Sequence, residues 1–169
     1  NSTRIRLASC SGENRGLIAG GGDTLNSAAG NQIQWLSFLT LGNAVSFGLL
    51  TQSRFGVTGC SNGSRGVFAG GKKPYAASRD EIDYVTIDTL GNATDFGNLT
   101  VARWRLSGCS NETRAVFAGG STNTIWDYKN EIDYITIATT GNATDFGDLS
   151  EQKFDMAGAA NSTRATFSG

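Results

Sequence analysis

The sequence predicts an all-β fold assembled from about three and a half copies of one four-stranded antiparallel unit of about 50 residues. Three observations carry this. The triplet Ala-Gly-Gly recurs at residues 19–21, 69–71 and 118–120, at intervals of 50 and 49. Cys10, Cys60 and Cys109 keep the same two intervals, as do Arg15, Arg65 and Arg114, with Arg164 following 50 residues later. Finally, 23 glycines stand beside one proline, and Thr, Val, Ile and Phe fill short apolar runs, the composition of many strands joined by tight turns.

Within each copy four strands, a to d, follow in order. Strand a is typified by residues 104–110 and ends in the turn-forming Asn111-Glu112-Thr113-Arg114. Strand b, residues 115–119, is an apolar run closed by a glycine pair that permits positive φ or close backbone approach. Strand c, residues 132–137, alternates Ile132 and Tyr134 with Asp133 and Ile135. A Gly141-Asn142 turn then leads into strand d around Asp145 to Leu149. The segments EIDYVTIDTLGNATDFGNLT (81–100) and EIDYITIATTGNATDFGDLS (131–150) are nearly identical, and IQWLSFLTLGNAVSFGLLT (33–51) is a diverged relative.

In this frame the units run 4–53, 54–102 and 103–152, with a half unit over 153–169, all in one repeat domain. Such sheets bury their faces against one another, and radial closure takes about 4 to 8 of them. The expectation is therefore either an oligomer or a piece of a longer chain; the start at Asn1, mid-motif and without Met, favours a piece. Two copies would bring unequal numbers of a–b and c–d pairs, so a closed seven-unit dimer is not implied.

The stretch LTVARWRLSGCSNETRAVFAGG (99–120) resembles the kelch repeat: an Arg after strand d, small residues along strand a, and an apolar strand b ending in a Gly pair. Tyr84, Tyr134 and Trp35 stand where kelch repeats place an aromatic on strand c, and Phe47, Phe96 and Phe146 stand for the usual Trp on strand d. Tyr84 and Phe96 are 12 residues apart, longer than the family's habit, which implies a longer c–d turn. The resemblance implies a kelch-like β-propeller. The wording GNATDFG is also similar to repeat arrays in structural proteins of tailed phages. That similarity implies a virion component, part of a tail or fibre, and a virion or extracellular location.

Charge and composition narrow the function classes. Fourteen Lys and Arg against 15 Asp and Glu give a net charge of −1, which favours neither nucleic acid nor an anionic membrane, and no apolar run is long enough for membrane insertion. With no histidine, the commonest general base and metal ligand is missing, so the expectation is a protein without catalysis or cofactor. Asp83 with Asp133, and Asp95 with Asp145, recur because the repeat recurs, and are expected to be structural. The cysteines lack metal-type clustering and are expected as free, small, buried residues. Seven Asn-x-Ser/Thr sequons, at Asn1, Asn62, Asn92, Asn98, Asn111, Asn142 and Asn161, fall mostly at equivalent turns, where turn geometry explains them.

The copies differ most in their b–c connections, residues 22–32, 72–80 and 121–130, so the face carrying them is expected to make the individual contacts. Tyr75, Trp126 and Tyr128 lie there as groups suited to stacking on sugars or anchoring a protein. Arg4, Arg54 and Arg103, with Lys153 in the last copy, begin strand a at this face, where kelch propellers often line a ligand pocket. They are expected either to ring a central opening or to be solvated or bond loop carbonyls. Arg15, Arg65, Arg114 and Arg164 fall on the opposite face, as turn-stabilising groups. The expected partners are other virion or scaffold proteins and glycans on a host surface, the latter making the alternative a lectin-like, secreted or cell-surface module.

Overall fold

The computed structural model describes residues 4–23, 28–122 and 126–169. Fourteen strands and no helix occur among them. β1 (Ile5–Ser11), β2 (Arg15–Gly22), β3 (Gln32–Ser37) and β4 (Val45–Leu49) form the first antiparallel sheet in chain order. β5 (Thr58–Ser61), β6 (Arg65–Ala69), β7 (Glu81–Thr86) and β8 (Thr94–Asn98) form the second. The third comprises β9 (Ser107–Ser110), β10 (Arg114–Ala118), β11 (Glu131–Thr136) and β12 (Thr144–Asp148). β13 (Ala157–Ala160) and β14 (Ala165–Ser168) pair as a two-stranded remainder.

Strand a is shorter than expected in the second and third sheets. Arg6, Gly56 and Arg105 all take left-handed φ (58°, 65° and 59°), a break in the ladder that β1 carries within its span, Ile5 still pairing with Gly22. Phe55 and Trp104 rejoin it only through single bridges to Lys72 and Ser121. Strand d carries a bulge in each sheet: Ile82 faces Gly97 while Asp83 faces Asp95, leaving Phe96 unpaired between them. The bulged Phe96 is 3% exposed and meets Tyr84 edge-to-face at 5.9 Å.

No sheet has a core of its own. One buried cluster combines Leu17, Ile33 and Phe47 of the first sheet with Phe68, Val85 and Ile87 of the second. The other combines Val67, Ile82 and Phe96 of the second with Phe117, Ile135 and Ile137 of the third. Each fully buried Leu, Ile or Phe contributes about 1.5–3 kcal/mol, and it does so only if the neighbouring sheet is present. The first strands of the four sheets, β1, β5, β9 and β13, lie side by side, and small residues let them approach. A Cβ on Gly108 would stand 2.7 Å from the Cys60 Sγ, and one on Gly59 would stand 2.4 Å from the Ser9 carbonyl.

The glycine pairs serve the same packing. Gly70 and Gly119 have φ of 66° and 60°, and a Cβ there would come within 2.5 and 2.4 Å of the carbonyls of Arg103 and Lys153 in the following repeat. Their neighbours Gly71 and Gly120 donate backbone hydrogen bonds to those carbonyls, both at 2.8 Å. The side chain of the same arginine then turns into its own sheet. Arg103 Nη1 donates to the Gly119 and Glu131 carbonyls (3.0 and 2.6 Å), and Nη2 to Asp133 at 2.8 Å. Arg54 repeats this with Gly70, Glu81 and Asp83. Both ion pairs have no exposed side-chain surface, and each carboxylate also accepts from the preceding connection, Asp133 from Thr100 and Asp83 from Thr51.

Removing one partner of a buried, hydrogen-bonded pair strands the other. Asp133→Ala is therefore expected to lower unfolding free energy by about 3–5 kcal/mol, and the double change Arg103→Met, Asp133→Leu by much less. Urea unfolding followed by circular dichroism checks this; a loss below about 1 kcal/mol in the single variant would show a solvated pair.

Candidate interaction site at the loop face

Of the four basic residues expected around an opening, the two middle ones face inward. Arg54 and Arg103 are 0% exposed, with their guanidinium groups committed to the carbonyls and carboxylates above, so a surface ligand has nothing of them to touch. The carbonyl-bonding expectation describes them; ringing an opening does not. Burial lowers Arg103 from its ordinary range, while Asp133 and Glu131 act in the opposite direction. Arg4 is half-buried and bonds the Gln32 side chain at 2.7 Å, because strand c of the first sheet carries Gln34 where the others carry Asp83 and Asp133. Lys153 is half-buried and donates to the Gly169 carbonyl at 3.0 Å. All four thus reach the carbonyl at the same repeat position, 16 residues on, as Arg4 does to Gly20 at 3.4 Å.

The residues that do come together at this face lie two positions further along. Arg6, Gly56, Arg105 and Asp155 all have φ between 50° and 65°. Their backbones link successive repeats: Gly56 N donates to the Arg6 carbonyl (3.0 Å), Arg105 N to Gly56 (2.9 Å) and Asp155 N to Arg105 (2.9 Å). Arg6, Gly56, Arg105 and Asp155 bound a cleft of about 230 Å³. The left-handed backbone is costly for Arg and Asp and persists because neighbouring repeats hold it. Gly56 at the equivalent position was the one signal of this in the sequence.

Around that cleft, cations and rings alternate. Phe55 meets Trp104 edge-to-face at 5.7 Å, and Arg6 lies 5.5 Å from the Trp104 ring. Lys72 approaches the same ring at 5.2 Å, and Arg105 lies 4.4 Å from the Phe154 ring while pairing with Asp155. Tyr128 stacks on Phe154 with centroids 4.4 Å apart and planes 16° from parallel. Of the aromatic candidates, Tyr128 is thereby built into this cluster, whereas Tyr75 and Trp126 stand clear, 89% and 79% exposed. Tyr75 sits at φ 54° on its loop tip. Trp126 precedes Asp127, whose carboxylate is lowered by hydrogen bonds from Thr122 and Lys129. Residues 24–27 and 123–125 of the variable connections, and the Asn1 sequon, lie outside the described residues.

On the opposite face, the recurring arginines do more than stabilise turns. Arg15 covers the Trp35 ring at 4.4 Å, Arg65 covers Tyr84 at 4.3 Å, and Arg114 covers Tyr134 at 4.8 Å. Arg65 Nη1 also donates to the Ile137 carbonyl of the next sheet at 2.8 Å, and Arg15 to Ile87 at 3.4 Å. The turns themselves are held by asparagines: Asn62, Asn111 and Asn161 accept from the amides two and three residues on. Among the described residues, no group of three His, Cys, Asp or Glu is placed to hold a metal. No family model and no curated protein matches the chain.

The cysteines are free thiols between inner strands. Burial pushes the Cys10 thiol up to about 12 and raises Cys109; Cys60 is raised first by burial and then by Cys109 and Cys10. A thiol raised on folding stabilises fully below its ordinary value of 9.0 and loses that contribution as pH climbs towards the folded value. Stability is thus expected to fall from about pH 9 to about pH 12 more steeply in the native chain than in Cys10→Ala. Urea midpoints across this range measure it, and parallel curves would refute the linkage.

Proposed function

We propose that the chain is a non-catalytic structural and interaction module of kelch-like β-propeller type, a virion component of a tail or fibre that serves assembly or host attachment. One observation carries the reading. Sheets of matching design hold connections that differ from one another, and two of these project large aromatics, Tyr75 and Trp126, into solvent. Exposed aromatics on a rigid scaffold are the composition of binding hot spots, and they have no packing role that would explain their exposure. The buried carboxylates are occupied by arginines and threonines, which leaves them no part in acid–base chemistry.

The alternative, a carbohydrate-binding module on a cell surface or secreted, is favoured by the ring platform of Tyr128 and Phe154 next to Trp126, since flat rings stack on the apolar faces of sugars. Its weakness is that each sheet carries a different connection, whereas a multivalent lectin repeats its pocket.

A glycan array and a host-cell binding assay on the assembled protein separate the readings. Trp126→Ala and Tyr75→Ala are each expected to weaken host or glycan binding by about 2 kcal/mol, roughly thirtyfold, with unfolding unchanged. Binding unaffected by both would remove the loop face as the contact surface. Copurification with virions supports the assembly role independently of any glycan.

A further inference from the structure

The third sheet ends on a surface that is covered in the two before it. Phe146 is 57% exposed, whereas Phe47 and Phe96, its equivalents, are 4% and 3% exposed. One element does the covering: the c–d turn of the next sheet. Gly91 N donates to the Phe47 carbonyl (3.1 Å), Ala93 N to the Leu49 carbonyl (2.8 Å), and Leu49 N to Asn92 Oδ1 (3.1 Å). Between the second and third sheets Gly141, Ala143 and Asn142 repeat this set on Phe96 and Asn98 at 2.8, 2.8 and 3.1 Å. The corresponding Phe146 carbonyl and Asp148 amide and carbonyl have no such partner among the described residues.

Side chains share the deficit. Thr51 and Arg54 meet Asp83, and Thr100 and Arg103 meet Asp133, but among the described residues Ser150 and Lys153 have no strand c carboxylate, and Lys153 has only the Gly169 carbonyl and Glu151 at 4.0 Å. Arg164 has no ring under it among the described residues, although its three equivalents do. Among the described residues Arg114 lacks the inter-sheet carbonyl that Arg15 and Arg65 reach. Among the described residues β14 pairs only with β13, and beside it lies a groove of about 530 Å³ lined by Val116, Ile132, Phe146, Leu149, Ala165 and Phe167.

We infer that the free edge of β14 and this groove take up a β-hairpin of the strand c–strand d kind. Its chemistry is specified by what is missing: a carboxylate at the Asp133 position for Ser150 and Lys153, an aromatic at the Tyr134 position for Arg164, and a Gly-Asn-Ala turn for Phe146 and Asp148. Strand addition supplies the ladder, and the pockets supply selectivity. An intact second copy cannot supply such a hairpin, because its β3, β7 and β11 are already paired with β2, β6 and β10. The occupant is a hairpin without a–b strands of its own. This site is separate from the loop face and does not depend on what that face binds.

The test adds a synthetic peptide of residues 130–150 to the 169-residue chain, with titration calorimetry and amide exchange as readouts. Expected are saturable one-to-one binding, slowed exchange at the Asp148 amide and along β14, and a raised melting temperature. The Asp133→Ala peptide is expected to bind roughly tenfold or more weakly. That difference shrinks against a Lys153→Ala chain whose circular dichroism is unchanged. Absence of binding to the folded chain at about millimolar peptide overturns the proposal. So does equal binding of a scrambled peptide, protection mapped away from β12 and β14, or a dimer formed through β14 that the peptide leaves intact.

Discussion

Everything in this fold depends on one sheet reaching the next closely enough to share a core. The contact that permits it is between backbones: the second glycine of each pair donates to the carbonyl of the basic residue that opens the following repeat, at 3.0 Å from Gly21 to Arg54 and 2.8 Å from Gly71 to Arg103. A side chain at the first glycine would occupy the position of that carbonyl, and its positive φ would be strained. Once the backbones are in register, the two inter-sheet clusters can close, and no sheet has a comparable core to fall back on.

The arginine at this junction links the two directions of packing. Its carbonyl belongs to the preceding sheet's glycine, while its guanidinium belongs to its own strand c, where a carboxylate also collects the threonine of the incoming connection. A buried pair of this kind gains little over an apolar one in net stability, but it tolerates only one arrangement of its donors, and so sets how the connection enters the sheet. The first repeat, with Gln34 in place of the carboxylate, and the last, with lysine in place of arginine, are the two where the arrangement is relaxed. What the shared frame leaves individual lies at the margins, in the differing connections at one face and the flank of the third sheet.

Much of the fold was legible in the residues because the sequence repeats. Four strands per copy, their order and the turn between Gly141 and the following strand can be read from period-2 alternation and turn chemistry, and the strands fall within a few residues of those limits. The left-handed break in strand a was not legible, since it is imposed on Arg6 and Arg105 by neighbouring repeats and no propensity of arginine announces it; only Gly56 at the equivalent position hinted at it. The site was legible in part. Tyr75 and Trp126 are as exposed as their setting implied, but Arg54 and Arg103 looked like surface cations and are buried, because their carboxylate partners lie 29 and 30 residues away on another strand. The paired rows Arg15 with Trp35, Arg65 with Tyr84 and Arg114 with Tyr134 recur in step, and that covariation within the chain was the signal for the cation–π contacts.

The sequence by itself determined the repeat, the strand content and which positions are shared or individual, because these are properties of spacing and local propensity. Tertiary structure alone decided which cations are spent inside the fold and which residues rim the loop-face cleft. Those outcomes depend on distances between residues tens of positions apart, set only when one sheet packs on another.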